Sequence, residues 1–201
     1  MALSTAAELK TSVQDWLDRS DYSAVADDMI VLAEGHFNLE LRSRQMVTAT
    51  DLTPTAGVCT LPTDFLGPVK VVAKTSPRCQ LGFVDISGAD SAYDSSVVGR
   101  SESYTIRGSS LITYPQSTYD IELTYWQEIP PLADNSSNWL LAKYPNIYLE
   151  TCMMEAHRYF RNTDELSISA QRVENMIRRL HDTSDLEQYA NAAKLISGST
   201  P

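Results

Sequence analysis

The chain has 201 residues, of which 43% are apolar and 21% charged, an ordinary globular balance that argues against an intrinsically disordered protein. Its 16 basic and 26 acidic residues leave a net charge of −10, which argues against a protein that grips nucleic acid through its phosphates, since that requires a basic footprint. No apolar run reaches the roughly 18–20 residues that span a bilayer, and Met1–Glu8 carries neither the basic nor the apolar region of a secretory leader, so a soluble protein made inside a cell is expected.

Two helices are expected first. Thr5 and Glu8 have capping-box spacing, and Leu9, Val13, Trp16 and Leu17 follow as one apolar stripe. Ser20–Ser23 reads as a turn. In the next helix Val25, Met29, Leu32, His36 and Leu39 line one face, widened by Ile30, Ala33, Phe37 and Leu41. A stripe so broad suits a helix with more than one neighbour, and it is expected to end near Gln45. From Val47 the chemistry turns towards strand. Strands are expected at 58–62, 69–73, 81–84, 104–106, 111–114 and 119–126; in the last, Ile121, Leu123 and Tyr125 alternate with Glu122 and Thr124. Arg107–Ser110 reads as a hairpin turn. Residues 87–103, rich in Ser, Gly and Asp, read as a mobile loop or a weak linking helix. Helical spacing returns at 138–144, at 146–161 (Leu149, Met153, Ala156, Phe160) and at 166–180 (Leu166, Ala170, Val173, Ile177, Leu180). The expected fold class is α+β: a mainly α-helical bundle formed by both chain ends, residues 1–46 and 131–188, with a central β-rich insertion at 47–130 and a C-terminal tail at 189–201.

The chemistry-bearing residues do not assemble into a motif. No phosphate-binding glycine loop, no HExxH and no nucleophile elbow is present. His36 and His157 with Glu155 are the one combination that separate helices could bring to a metal, and packing is the better reading of each. Cys59, Cys79 and Cys152 form no CxxC pair and read as free thiols. Asp27 and Asp28 diverge on a helix, so a shared acid–base role is not expected. Ten tyrosines suit a protein interface better than base stacking, because no positive groove accompanies them. No catalytic residue, cofactor or metal is expected, and the chain does not read as an enzyme.

Four ordered blocks carry a resemblance. They are Leu9–Asp18 with Ile30–Glu34 and Phe37–Met46; Leu61-Pro-Thr-Asp-Phe65; Tyr104–Gly108 followed by Ile121–Trp126 and Ile129-Pro-Pro-Leu132; and Asn138-Trp-Leu-Leu-Ala-Lys-Tyr-Pro145 running to Leu149. Over about residues 8–180 the chain resembles the head-to-tail adaptors (connectors) of tailed bacteriophages, particularly of short-tailed phages. The resemblance implies a structural virion protein in the neck, made in the host bacterial cytoplasm. It would form a ring below the portal, usually of twelve copies, extending the DNA channel and carrying the tail or nozzle protein. Its partners would be the portal protein, the tail and further copies of itself, with no cofactor and no membrane. The acidity fits such a conduit, since negative walls let genomic DNA pass without specific binding. A ring needs two different adhesive faces on each subunit. Tyr93, Val97 and Val98 in the polar loop are expected at inter-subunit or tail contacts. Leu186, Tyr189, Leu195 and Ile196, apolar and beyond the last strong stripe, are expected to contact the portal. The alternative is a small non-virion accessory or ligand-binding protein of the same architecture.

Overall fold

In the computed structural model, which describes residues 3–92 and 97–189 with side chains for 3–89 and 97–184, helix α1 (Ala6–Leu17) begins at a complete capping box. The Thr5 hydroxyl accepts from the Glu8 N–H while the Glu8 carboxylate accepts from the Thr5 N–H. Leu9 and Val13 are buried, but Trp16, expected in the same stripe, is 61% exposed. Helix α2 (Ala26–Glu40) corrects the expected face as well. It buries Ala26, Met29, Ile30, Ala33, Glu34 and Phe37 and leaves Val31, Leu32 and Leu39 in solvent. With apolar residues on most of its circumference, α2 is oriented by its specific partners. The Phe37 ring meets Tyr148 edge-on at 4.9 Å, and Glu34 accepts two hydrogen bonds on the same side. The helix stops at Glu40, short of the expected Gln45, because Leu41 turns to extended backbone and is buried.

The Asn138 side-chain oxygen caps α4 (Trp139–Lys143) by accepting from the Leu141 N–H at 2.9 Å. Pro145, expected only to end that helix, also opens α5 (Pro145–Tyr159), where its missing N–H costs nothing. Every residue of α5 from Ile147 to His157 is buried, far more than the single expected stripe. The reason is its surroundings: α5 touches α1, α2, α4 and α6. Helix α6 (Thr163–Tyr189) starts before the expected stripe of 166–180 and runs on to the expected end of the helical region, and it buries Ser169, Val173, Ile177, Leu180 and Ser184. Near its end, His181 Nε2 accepts from the Arg42 N–H at 3.2 Å and Ser184 Oγ from the Arg44 N–H at 3.0 Å. These bonds fasten α6 to the chain leaving α2. The chain divides into two compact units, one built from residues up to Gln45 and from Ile129 onward, the other from Met46 to Glu128. Helices in one and sheets in the other make the fold class α+β.

The second unit holds two four-stranded sheets. One has the order β1 (Val47–Leu52), β8 (Ile121–Gln127), β3 (Phe65–Ala73), β4 (Cys79–Gln80); the other runs β2 (Val58–Thr60), β7 (Ser110–Tyr114), β6 (Ser103–Arg107), β5 (Gly82–Phe83). Helix α3 (Ile86–Ala92) links β5 to β6, occupying the first part of the segment read as loop or weak helix. One core joins the sheets, with Leu52, Val71, Ala73, Ile121, Leu123 and Tyr125 from the first and Cys59, Leu61, Leu81, Tyr104 and Leu111 on the side of the second. Strand β3 runs through Pro68, where the sequence suggested a start at Val69. Only its last two residues pair with β4, so at Pro68 it is an edge strand with no second ladder to feed, and its register shifts on either side of Pro68 against β8. Gly108, at φ +59°, makes the tight β6–β7 turn in which Arg107 pairs with Ser110.

Candidate functional site

The best-organised polar cluster lies inside the helical unit and holds the chain segment that follows Ile129. Glu34 Oε1 accepts from the Leu132 N–H at 2.8 Å and from the Tyr148 hydroxyl at 3.3 Å. Asn138 Nδ2 donates to Tyr148 Oη at 2.7 Å and to the Pro130 carbonyl at 2.9 Å. One turn along α2, Asn38 Oδ1 accepts from the Ile129 N–H at 3.0 Å. Burial raises the Glu34 carboxyl above its ordinary value, with the Leu132 N–H and Tyr148 hydroxyl opposing, and pushes Tyr148 far up. Each of these hydrogen bonds joins one protein group to another, so this is a clasp between α2, α5 and the 129–138 segment.

The thiols are equally closed. Cys152 is fully buried on α5 and desolvation raises its pKa strongly; Cys59 is pushed up to about 11 by burial. Neither is poised as a nucleophile. His36 lies 3.6 Å from Glu40, and Glu155 pairs with Arg158 at 3.4 Å. Among the described residues no group of three or more His, Cys, Asp or Glu side chains could hold a metal ion, and no helix is long and apolar enough to cross a membrane.

What the molecule offers outward is apolar surface. In the sheet unit Phe83 (63% exposed), Ile86, Val97, Val98 (60%) and Tyr119 face solvent. Val97 and Val98 stand beside Gln116: the Gln116 N–H donates to the Val97 carbonyl at 2.9 Å, and Val98 bridges Gln116 as a one-residue parallel pair. Tyr93 lies outside the described residues. In the helical unit Trp16, Val31, Leu32, Leu39, Tyr159 and Ile168 are exposed. Leu186 and Tyr189 fall within α6, but their side chains, like all of Leu195 and Ile196, lie outside the described residues. Of the exposed α2 residues, Leu32 and Leu39 were expected in the apolar face from sequence. The available signal was surplus: α2 has more large apolar residues than one buried face can hold.

A family model described as SU10 adaptor protein matches residues 4–194. No curated protein matches the chain.

Proposed function

The chain belongs to the SU10 adaptor protein family, a family of phage head-to-tail adaptors, and from that premise we propose that it assembles as a ring, of twelve copies, beneath the portal of a short-tailed phage. The observation that carries the proposal is the span of the match, residues 4–194, which takes in both units and the whole length of α6. In this reading the helices from both chain ends form the bundle that builds the ring. The sheet unit, through the loop bearing Tyr93, Val97 and Val98, meets the neighbouring subunit or the tail. The C-terminal stretch with Leu186, Tyr189, Leu195 and Ile196 docks on the portal, and avidity around the ring offsets the weakness of each single contact. The net charge of −10 suits a channel that must release DNA.

The test is co-sedimentation with portal rings. The full-length chain is expected to co-sediment and the chain truncated after Ser184 to remain folded by far-UV circular dichroism but stay in the supernatant. Undiminished co-sedimentation of the truncated chain would overturn the portal-docking assignment, and failure of the full-length chain to bind would overturn the ring reading.

A further inference from the structure

Helix α2 presents a second apolar face with nothing among the described residues packed over Leu39 or against Gly35. At roughly 100° per residue, Asp28, Leu32, Gly35 and Leu39 fall on one line opposite the buried Ala26, Met29, Ile30, Ala33 and Phe37. Leu32 is 49% and Leu39 80% exposed. Gly35 sits between them in the middle of a 15-residue helix, and a Cβ built there meets nothing within 4 Å. Glycine at such a position weakens a helix relative to alanine, and no contact among the described residues requires it. A glycine flanked by exposed leucines suits the close approach of another helix, since small residues at a crossing bring axes towards the short end of the usual ~8–10 Å range.

The matching surface is on the same unit. On α6 the line Ile168, Arg172, Asn175, Arg179 is exposed and repeats the spacing of Asp28, Leu32, Gly35, Leu39: i, i+4, i+7, i+11. Laid antiparallel, the two lines match at their ends, an opposite-charge pair at one and an apolar pair at the other. Asp28 meets Arg179, Leu32 meets Asn175, the stem of Arg172 crosses Gly35, and Leu39 meets Ile168. Laid parallel, Asp28 would face Ile168 and Leu39 would face Arg179. We infer that the α2 face of one copy receives the α6 face of the next copy in antiparallel register, centred on Gly35. The inference rests on the ring reading above and names its contact. Both lines are made by one chain and differ from each other, so the contact is heterologous and repeats around an axis. Arg172 keeps its bond to Glu150, at 3.3 Å, and is thereby held in place for the neighbour.

Disulfide trapping tests the register. Chains carrying Leu39→Cys or Ile168→Cys, each with Cys79→Ser to remove the half-buried native thiol, are mixed and oxidised with oxidised glutathione, alone and on portal rings. The mixture is expected to give a mixed dimer, and the chain with both cysteines a ladder of covalent oligomers. In the chain with both cysteines Asp28→Arg should lower the ladder yield several-fold, and Arg179→Asp in the same chain should recover it. A dominant Leu39→Cys homodimer, a yield indifferent to Asp28→Arg, or loss of both thiols without a ladder would each overturn the contact. Wild-type chain that co-sediments with portal rings while no mixed dimer forms overturns this contact alone. Wild-type chain that neither co-sediments nor cross-links as the variants overturns the ring reading with it.

Discussion

Glu34 tests the clasp, because two substitutions separate its hydrogen bonds from its charge. Glu34→Ala leaves the Leu132 N–H and the Tyr148 hydroxyl, which now meet Glu34 at 2.8 and 3.3 Å, buried without an acceptor. At about 1–3 kcal/mol for each of the two unsatisfied groups, the loss is about 2–6 kcal/mol. For a chain of this size that lowers the unfolding midpoint by roughly 4–24 °C. Glu34→Gln keeps an acceptor oxygen and removes only the charge. Because burial raises the Glu34 pKa, the native state holds its proton more tightly than the unfolded chain does. The stabilisation from the protonated form is therefore fully present below the unfolded value and lost as pH rises through the native one. At pH 7 the Gln variant should equal or exceed the wild type in stability. That advantage should shrink as pH falls into the ordinary carboxylate range. Urea unfolding followed by circular dichroism between pH 4.5 and 7.5 measures all three proteins. If Glu34→Gln costs as much as Glu34→Ala at pH 7, or its difference from wild type ignores pH, the reasoning fails.

Three further outcomes are expected. Gly57, at φ +75°, places a hypothetical Cβ 2.9 Å from the Gln116 backbone, so Gly57→Ala should destabilise the sheet unit by about 1–3 kcal/mol in denaturant unfolding. Gly35→Ala, with space and helical backbone around it, should stabilise the free chain by about 0.4–1 kcal/mol, and any loss of stability would count against the open face. In native protein a thiol reagent should titrate Cys79 quickly and reach the buried Cys59 and Cys152 only on unfolding; a second fast equivalent would contradict their burial.

Local signals with a short-range cause were readable from the residues. The Thr5–Glu8 box, the turn at Arg107–Ser110 and the alternation along β8 each depend on neighbours in sequence, and each is present in the fold. What depended on distant partners was not. The buried side of α2 is chosen by Tyr148 and by the Leu132 N–H, about a hundred residues away, so hydropathy assigned Leu32 and Leu39 to the wrong side. α5 looked one-sided because its Glu150, Thr151, Glu155 and His157 are polar; they are buried by helices the local pattern cannot reveal. β3 was clipped at Pro68 because a proline is forbidden only where a second neighbour strand lies, and β4 is too short to be one there. The exposed line on α2 could be sorted from the core only once the core was known.

The sheet unit leaves and re-enters the helical unit through β1 and β8, and those strands are paired neighbours, Val47 opposite Trp126. Opposed Cα atoms in such a pair lie only about 4.5–5.5 Å apart. The two ends that the helical unit must supply are thus fixed close together whatever lies between them. Everything from Thr48 to Tyr125 can lengthen, shrink or be exchanged over evolutionary time without moving the points of attachment. A lineage is free to rewrite its sheets and keep its helices, and recombination at this doorway would exchange the whole sheet unit in a single event.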